Sequence, residues 1–225
     1  MKSITLIGKK VLSTVLLSLC VTTGFGQHIF NVDPVQAAEI AAFMKQPSAV
    51  EGKCNAEVLG IVTTASEFSW DDINTWKNAD GKVWADGATA DYAPTVFGFG
   101  FKKNAPYNGG ASWICLITNK DDDKWNPAIP GVADLKGNFI LSNCNATTVK
   151  IANSQINTIK ICMNNPTEDC YISTKRNSNL EQLDISGSTG KLRQIEAYKN
   201  KFRDETSLVA DNLGEKVLID WLFNI

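Results

Sequence analysis

Thr95 to Phe101 reads Thr-Val-Phe-Gly-Phe-Gly-Phe. Successive side chains of an extended chain point to opposite faces, so this alternation predicts a strand. Phe97, Phe99 and Phe101 then share one face, and Gly98 and Gly100 share the other. Burying each phenylalanine stabilises by about 1.5–3 kcal/mol, which is enough to set the register. The glycine face carries no side chains, so another layer can lie directly against the backbone.

Other strands are expected around this one. Ser112 to Thr118 is apolar on both faces and follows Pro106 and Asn108-Gly109, a hairpin connection. Further runs are Asn138 to Cys144, Thr147 to Ile151 and Thr158 to Met163, with Cys170 to Thr174 expected to return antiparallel to the last. Val58 to Thr64 is expected as a first core strand. Asp33-Pro34 with Gln36 opens a helix that Pro47 closes. Leu192, Ile195, Tyr198 and Phe202 recur at helical spacing, and Val209, Leu213, Val217 and Trp221 continue in steps of four. Lys175 to Gly190 is polar and reads as a loop, tacked down by Leu180 and Leu183. The expected class is therefore α+β: a mainly antiparallel, sandwich- or barrel-like sheet, a short N-terminal helix, and a helical C-terminal tail packed on it. No internal repeat stands out.

Residues 1–26 form a targeting pattern. Lys2, Lys9 and Lys10 precede the apolar run Val11 to Val21, which is too short to span a bilayer, and Gly24-Phe25-Gly26 places cleavage before Gln27. Leu-Ser-Leu before Cys20 argues against a lipid anchor. The chain thus divides into a signal peptide (1–26), a β-rich domain with its leading helix (27–190) and a helical segment of the same domain (191–225). Export to a periplasm or to the outside is expected. Loss of three lysines leaves 19 basic against 24 acidic side chains, a net charge of −5. With only Arg176, Arg193 and Arg203 among the arginines and no basic cluster, nucleic acid and anionic membrane are not expected partners.

Five cysteines follow the signal peptide. In an exported chain they predict disulfides, with Cys162–Cys170 across a turn-forming loop first, Cys115–Cys144 next, and Cys54 left over. Closing the shorter loop contributes roughly 2–3 kcal/mol.

Chemistry is bounded by an absence. The one histidine, His28, lies beside the expected new N-terminus. Triads, Cys-His pairs and histidine-ligated zinc all need an oriented imidazole, and no cofactor motif is present. Catalysis by two carboxylates stays open, with Glu67, Asp71, Asp72, Asp86, Asp91 and the run Asp121-Asp122-Asp123 as candidates for cleaving a glycan. Asp121 and Asp123 are oxygen donors in a short acidic run, but the run lacks the spacing of a calcium loop.

The positive sign is aromatic. Trp70, Trp76, Trp84 and Trp125, with Tyr92 and Asp86, occupy loop-like, Asp- and Asn-rich stretches. Flat rings beside carboxylates and amides suit stacking on a sugar or gripping a peptide. The expected function is a secreted or periplasmic non-catalytic binding protein that recognises a glycan or cell surface through these loops. Two alternatives stand beside it: a carboxylate-dependent glycan-cleaving enzyme, and an effector or assembly factor that grips a protein through its apolar tail, Val217 to Ile225.

Overall fold

Val149, Ile172 and Ile195 stand in register on three neighbouring parallel strands. Each is buried, and each lies one coil further along the chain than the last. The computed structural model describes residues 32–81, 92–93, 98–102, 111–117, 129–165, 168–188, 191–211 and 217–222. Over these residues the chain is a β-solenoid of about 3 turns.

Its strands in chain order are β1 Tyr92–Ala93, β2 Phe99–Lys102, β3 Ala111–Leu116, β4 Lys136–Cys144, β5 Thr148–Ala152 and β6 Gln155–Met163. They continue as β7 Cys170–Lys175, β8 Gln182–Asp184, β9 Leu192–Tyr198, β10 Leu208–Val209 and β11 Leu218–Leu222. From β3 onward consecutive strands alternate between two sheets. One is seven-stranded, ordered β1-β2-β3-β5-β7-β9-β11, and the other four-stranded, ordered β10-β8-β6-β4. Among the strands described, β3 and every later strand pair in parallel with their later neighbours, whereas β1 with β2 and β2 with β3 are antiparallel.

This overturns the expected antiparallel sandwich or barrel. The strand runs from Asn138, Thr147, Thr158 and Cys170 exist, but neighbours in sequence belong to different sheets. Cys170–Lys175 pairs in parallel with Thr148–Ala152 and Leu192–Tyr198, not antiparallel with β6. The physical reason lies at the corners. Asn153, Arg176 and Lys199 take the left-handed conformation (φ 61, 54 and 58) and swing the chain off one sheet onto the other side of the coil. The next residue at each corner is buried and polar: Ser154, Asn177 and Asn200. Ser154 Oγ donates to Asn177 Oδ1 (2.8 Å), and Asn177 Nδ2 donates to Asn200 Oδ1 (3.1 Å) and to the Ile151 carbonyl (3.0 Å). Asn200 Nδ2 donates to the Thr174 carbonyl (2.8 Å). The ladder satisfies the backbone where the coil bends and holds Arg176 and Lys199 in a conformation that costs an L-residue roughly 1–2 kcal/mol.

The expected helical tail is also overturned. Residues 192–198 and 218–222 are strands β9 and β11, paired in parallel through Ile195↔Ile219. Between Cys170↔Leu192 and Tyr171↔Gln194 the register shifts, leaving Arg193 as an extra residue. That bulge lengthens the inward spacing from Leu192 to Ile195 to three residues, which imitates a helix. Val58 to Thr64 is not a strand either. A short helix α2, Asn55–Val58, ends where that run starts, with Glu57 Oε2 accepting from the Cys54 N–H (2.8 Å).

The leading helix is present as α1, Pro34–Lys45, with Asp33 Oδ1 accepting from Val35 N (2.8 Å). It covers the first edge of the four-stranded sheet. Asn55 accepts from Lys136 N and donates to its carbonyl, and Gln46 does the same for Asn138. Glu39 accepts from Ser142 N, and Gln36 donates to the Asn143 carbonyl. Side chains thus stand where a further strand would pair. Leu180 and Leu183 are fully buried, as expected, although Leu183 lies on a strand.

Candidate functional site

Alternation over 148–150, 171–173 and 194–196 sends Val149, Ile172 and Ile195 inward, so their neighbours in sequence face out. Register then aligns those neighbours in rows across the strands. One row is Trp113–Thr148–Tyr171–Gln194 and a second is Lys150–Ser173–Glu196–Asp220. A third holds Lys175 beside Tyr198. Between the first and third rows lies an open groove of about 410 Å³, with Lys150, Ser173 and Glu196 as its floor. That volume falls within the usual range for ligand clefts, about 300–1,000 Å³.

Hydrogen bonds and charge hold the floor rigidly. Glu196 Oε2 lies 2.7 Å from Lys175 Nζ and accepts from Ser173 Oγ (3.1 Å). Glu196 Oε1 accepts from Gln194 Nε2 (3.0 Å). Lys175 Nζ also sits 5.1 Å from the Tyr198 ring centre, within cation–π range. Burial pushes the Glu196 carboxyl upward, but the Lys175 bond and charge, the Ser173 bond and the Lys150 charge outweigh it and hold it low. Burial pulls the Lys175 ammonium down, and its bonds and charges with Glu196 and Tyr198 outweigh that and raise it. Both groups are therefore kept charged around neutral pH. A proton-transfer catalyst needs an ionisation near the working pH, and this pair is moved away from it on both sides.

The groove residues are not the ones the sequence singled out. Trp76 is fully buried and donates from Nε1 to the Ser69 carbonyl (2.8 Å), so it offers no surface for a ligand. Trp70 is half-buried, edge-on to Phe68 at 4.8 Å, with Lys45 over its ring at 5.3 Å. These rings pack the base of α1. Glu67 is ion-paired with Lys77 at 2.8 Å, and the lysine beside it brings its carboxyl down to about 2. That makes it a poor proton donor for cleaving a glycosidic bond. Trp84, Trp125, Asp86, Asp91, Asp121, Asp122, Asp123 and the side chain of Tyr92 lie outside the described residues. Among the described residues no three His, Cys, Asp or Glu side chains gather as metal ligands, and no helix is long and apolar enough to cross a membrane.

Neither expected disulfide is formed, and all five cysteines after the expected cleavage site are free thiols. Alternation explains this. Cys144 and Cys170 face the core, whereas Cys162 and Cys115 point outward from their strands. Each expected pair is thus split across a sheet. Burial pushes the Cys144 thiol up to about 12 and raises that of Cys170. Both behave as core side chains.

The signal that was missed is positional. Lys150, Ser173 and Glu196 recur at the same spacing as Ser154, Asn177 and Asn200, but they share no residue type, so the period escapes inspection. Comparison of the chain with protein-family models, curated proteins and solved structures gives no match.

Proposed function

We propose that this is an exported, non-catalytic binding protein that holds a glycan of a cell surface or wall in the groove across β5, β7 and β9. The observation that carries the reading is the fixed carboxylate of the floor: Lys175, Ser173 and Gln194 all bond to Glu196, and Glu196 and Lys175 are held away from neutral titration. Such a floor presents fixed donors and acceptors and loses little order when a ligand arrives. Tyr171, 42% exposed on the groove wall, supplies a flat apolar ring beside them. Export rests on the N-terminal targeting pattern, and the net charge of −5 suits a ligand other than nucleic acid.

The test is retention of the purified full chain on cellulose, chitin, β-glucan, mannan and pectin, with assay of released reducing sugar. Ser173→Trp, which fills the groove from its middle strand, is expected to abolish retention, and no sugar is expected to be released. Retention unchanged in Ser173→Trp would move binding elsewhere on the molecule. Sugar release would show that the protein is an enzyme.

A further inference from the structure

The groove has a direction and a charge balance, and together these narrow its ligand. The inference rests on the binding reading above. Gly100↔Trp113, Trp113↔Thr148, Thr148↔Tyr171 and Tyr171↔Gln194 are successive register partners, so the row runs across the strands, along the coil axis. Neighbouring strands repeat at about 4.8 Å, whereas outward residues along one strand repeat at roughly 6.6 Å. Sugars of an extended β-1,4-linked chain advance by nearly the first interval. Such a chain, laid along the axis, meets an equivalent position at every rung; laid along a strand, it falls out of step.

Two aromatic side chains stand on this row. Tyr171 is at the groove wall. Trp113, two rungs or about 9.6 Å away, lies against bare backbone, since a Cβ on Gly100 would come within 2.2 Å of its ring. Trp113 is partly buried against Cys115, Ile117 and Ala152 and stands beyond the groove lining, so the ring that a sugar in the groove meets is Tyr171.

The charges are balanced before any ligand arrives. Lys150, Lys175 and Glu196 line the groove, and Asp220 stands one rung beyond Glu196 in the same row, so the outward face as a whole sets two cations against two anions. An acidic chain laid along the row would meet Glu196 and Asp220 after Lys150, and a basic chain would have to draw Glu196 from Lys175. Hydroxyl groups bond to both without breaking the pair.

We propose that the ligand is an uncharged, extended polysaccharide lying along the coil axis, one sugar per rung, stacked on Tyr171 and reaching towards Trp113. From β3 to β9 the row spans three rung intervals, about 14 Å. Affinity is thus expected to rise with chain length and level off near the tetrasaccharide.

Calorimetry with cello- and chito-oligosaccharides of two to six sugars, and with oligogalacturonates, tests this. The expected result is binding of a neutral series that levels off near four sugars and is insensitive to salt. Tyr171→Ala should weaken it about tenfold, and Tyr171→Phe should retain it. Binding of oligogalacturonates alone, weakening as salt rises, would overturn the uncharged ligand and leave a binding groove. Neutral binding with no length dependence, or unaffected by Tyr171→Ala in a variant of unchanged melting temperature, would overturn the axial placement. No binding of any series to a chain that is retained on intact walls through Ser173 would overturn the ligand class alone. No binding anywhere would remove both readings.

Discussion

The inner and outer sides of the same rungs obey one register and two different chemistries. Inward, Val149, Ile172 and Ile195 repeat one kind of side chain, each packed into the enclosed core. Outward, Lys150, Ser173 and Glu196 repeat nothing, and the three differ in charge, length and bonding. A coil therefore separates the residues that build it from those free to take on a task. Substitutions on the two sides should fail in different ways.

The largest effect is expected inside. Ile172 lies fully enclosed in the middle of its stack, so Ile172→Ala should cost about 3–4 kcal/mol, read as a lower denaturation midpoint at unchanged slope. Asn177→Ala comes next. It removes the partners of Ser154 and Asn200 and of the Ile151 carbonyl, and about 2–3 kcal/mol of stability should go with them. Asn177→Ala as stable as the parent would mean that the corner ladder does not hold the coil.

On the outer side the expected loss of stability is small. Glu196→Gln removes a partly exposed ion pair, worth at most about 1 kcal/mol. Its pH behaviour is the sharper readout. The folded carboxyl of Glu196 lies below its ordinary value, so its contribution is present above about pH 4.3 and is lost as the pH falls through the lower folded value. The folded ammonium of Lys175 is raised, so its contribution is full below about pH 10.4 and is lost above that. Between those limits the stability of the parent and of Glu196→Gln should differ by a constant amount. A difference that changes near neutrality would break the claim that the floor is locked. Smallest of all, Tyr171→Ala should leave the melting temperature unchanged while it weakens binding.

Parts of this were open to reading from the chain. Asp33-Pro34 announced its helix through an unambiguous cap, and Ser112 to Thr118 announced a covered strand because both its faces are apolar. It pairs with β2 through Phe99↔Ile114, across the expected hairpin. The described strand begins only at Phe99, since Gly98 at φ +86 breaks the extended run, and Gly100 admits the Trp113 ring as a bare backbone can.

Strand direction was beyond reach, because alternation says which face a residue takes and nothing about its neighbour's polarity. The repeat was hidden for two reasons. Core stacks accept side chains that differ in size and polarity, as Ile151, Thr174 and Ala197 do in one buried row. The other sheet also steps unevenly from Phe139 to Ile159, Leu183 and Leu208. The candidate site suffered most. Polar surroundings suggest a surface ring, yet Trp76 is buried because its polar neighbours are themselves bonded: Thr75 Oγ1 donates to the Ser69 and Asp72 carbonyls, and Asn74 N donates to Asp72 Oδ1.

Recognition by the outward face of β5, β7 and β9 can be mapped by recording backbone amide shifts while a neutral β-1,4-linked tetrasaccharide is added. Changes concentrated at Thr148, Lys150, Tyr171, Ser173, Gln194 and Glu196 are expected. Changes centred instead on the opposite sheet, at Lys160 and Gln182, would place recognition elsewhere and overturn the groove as the binding site.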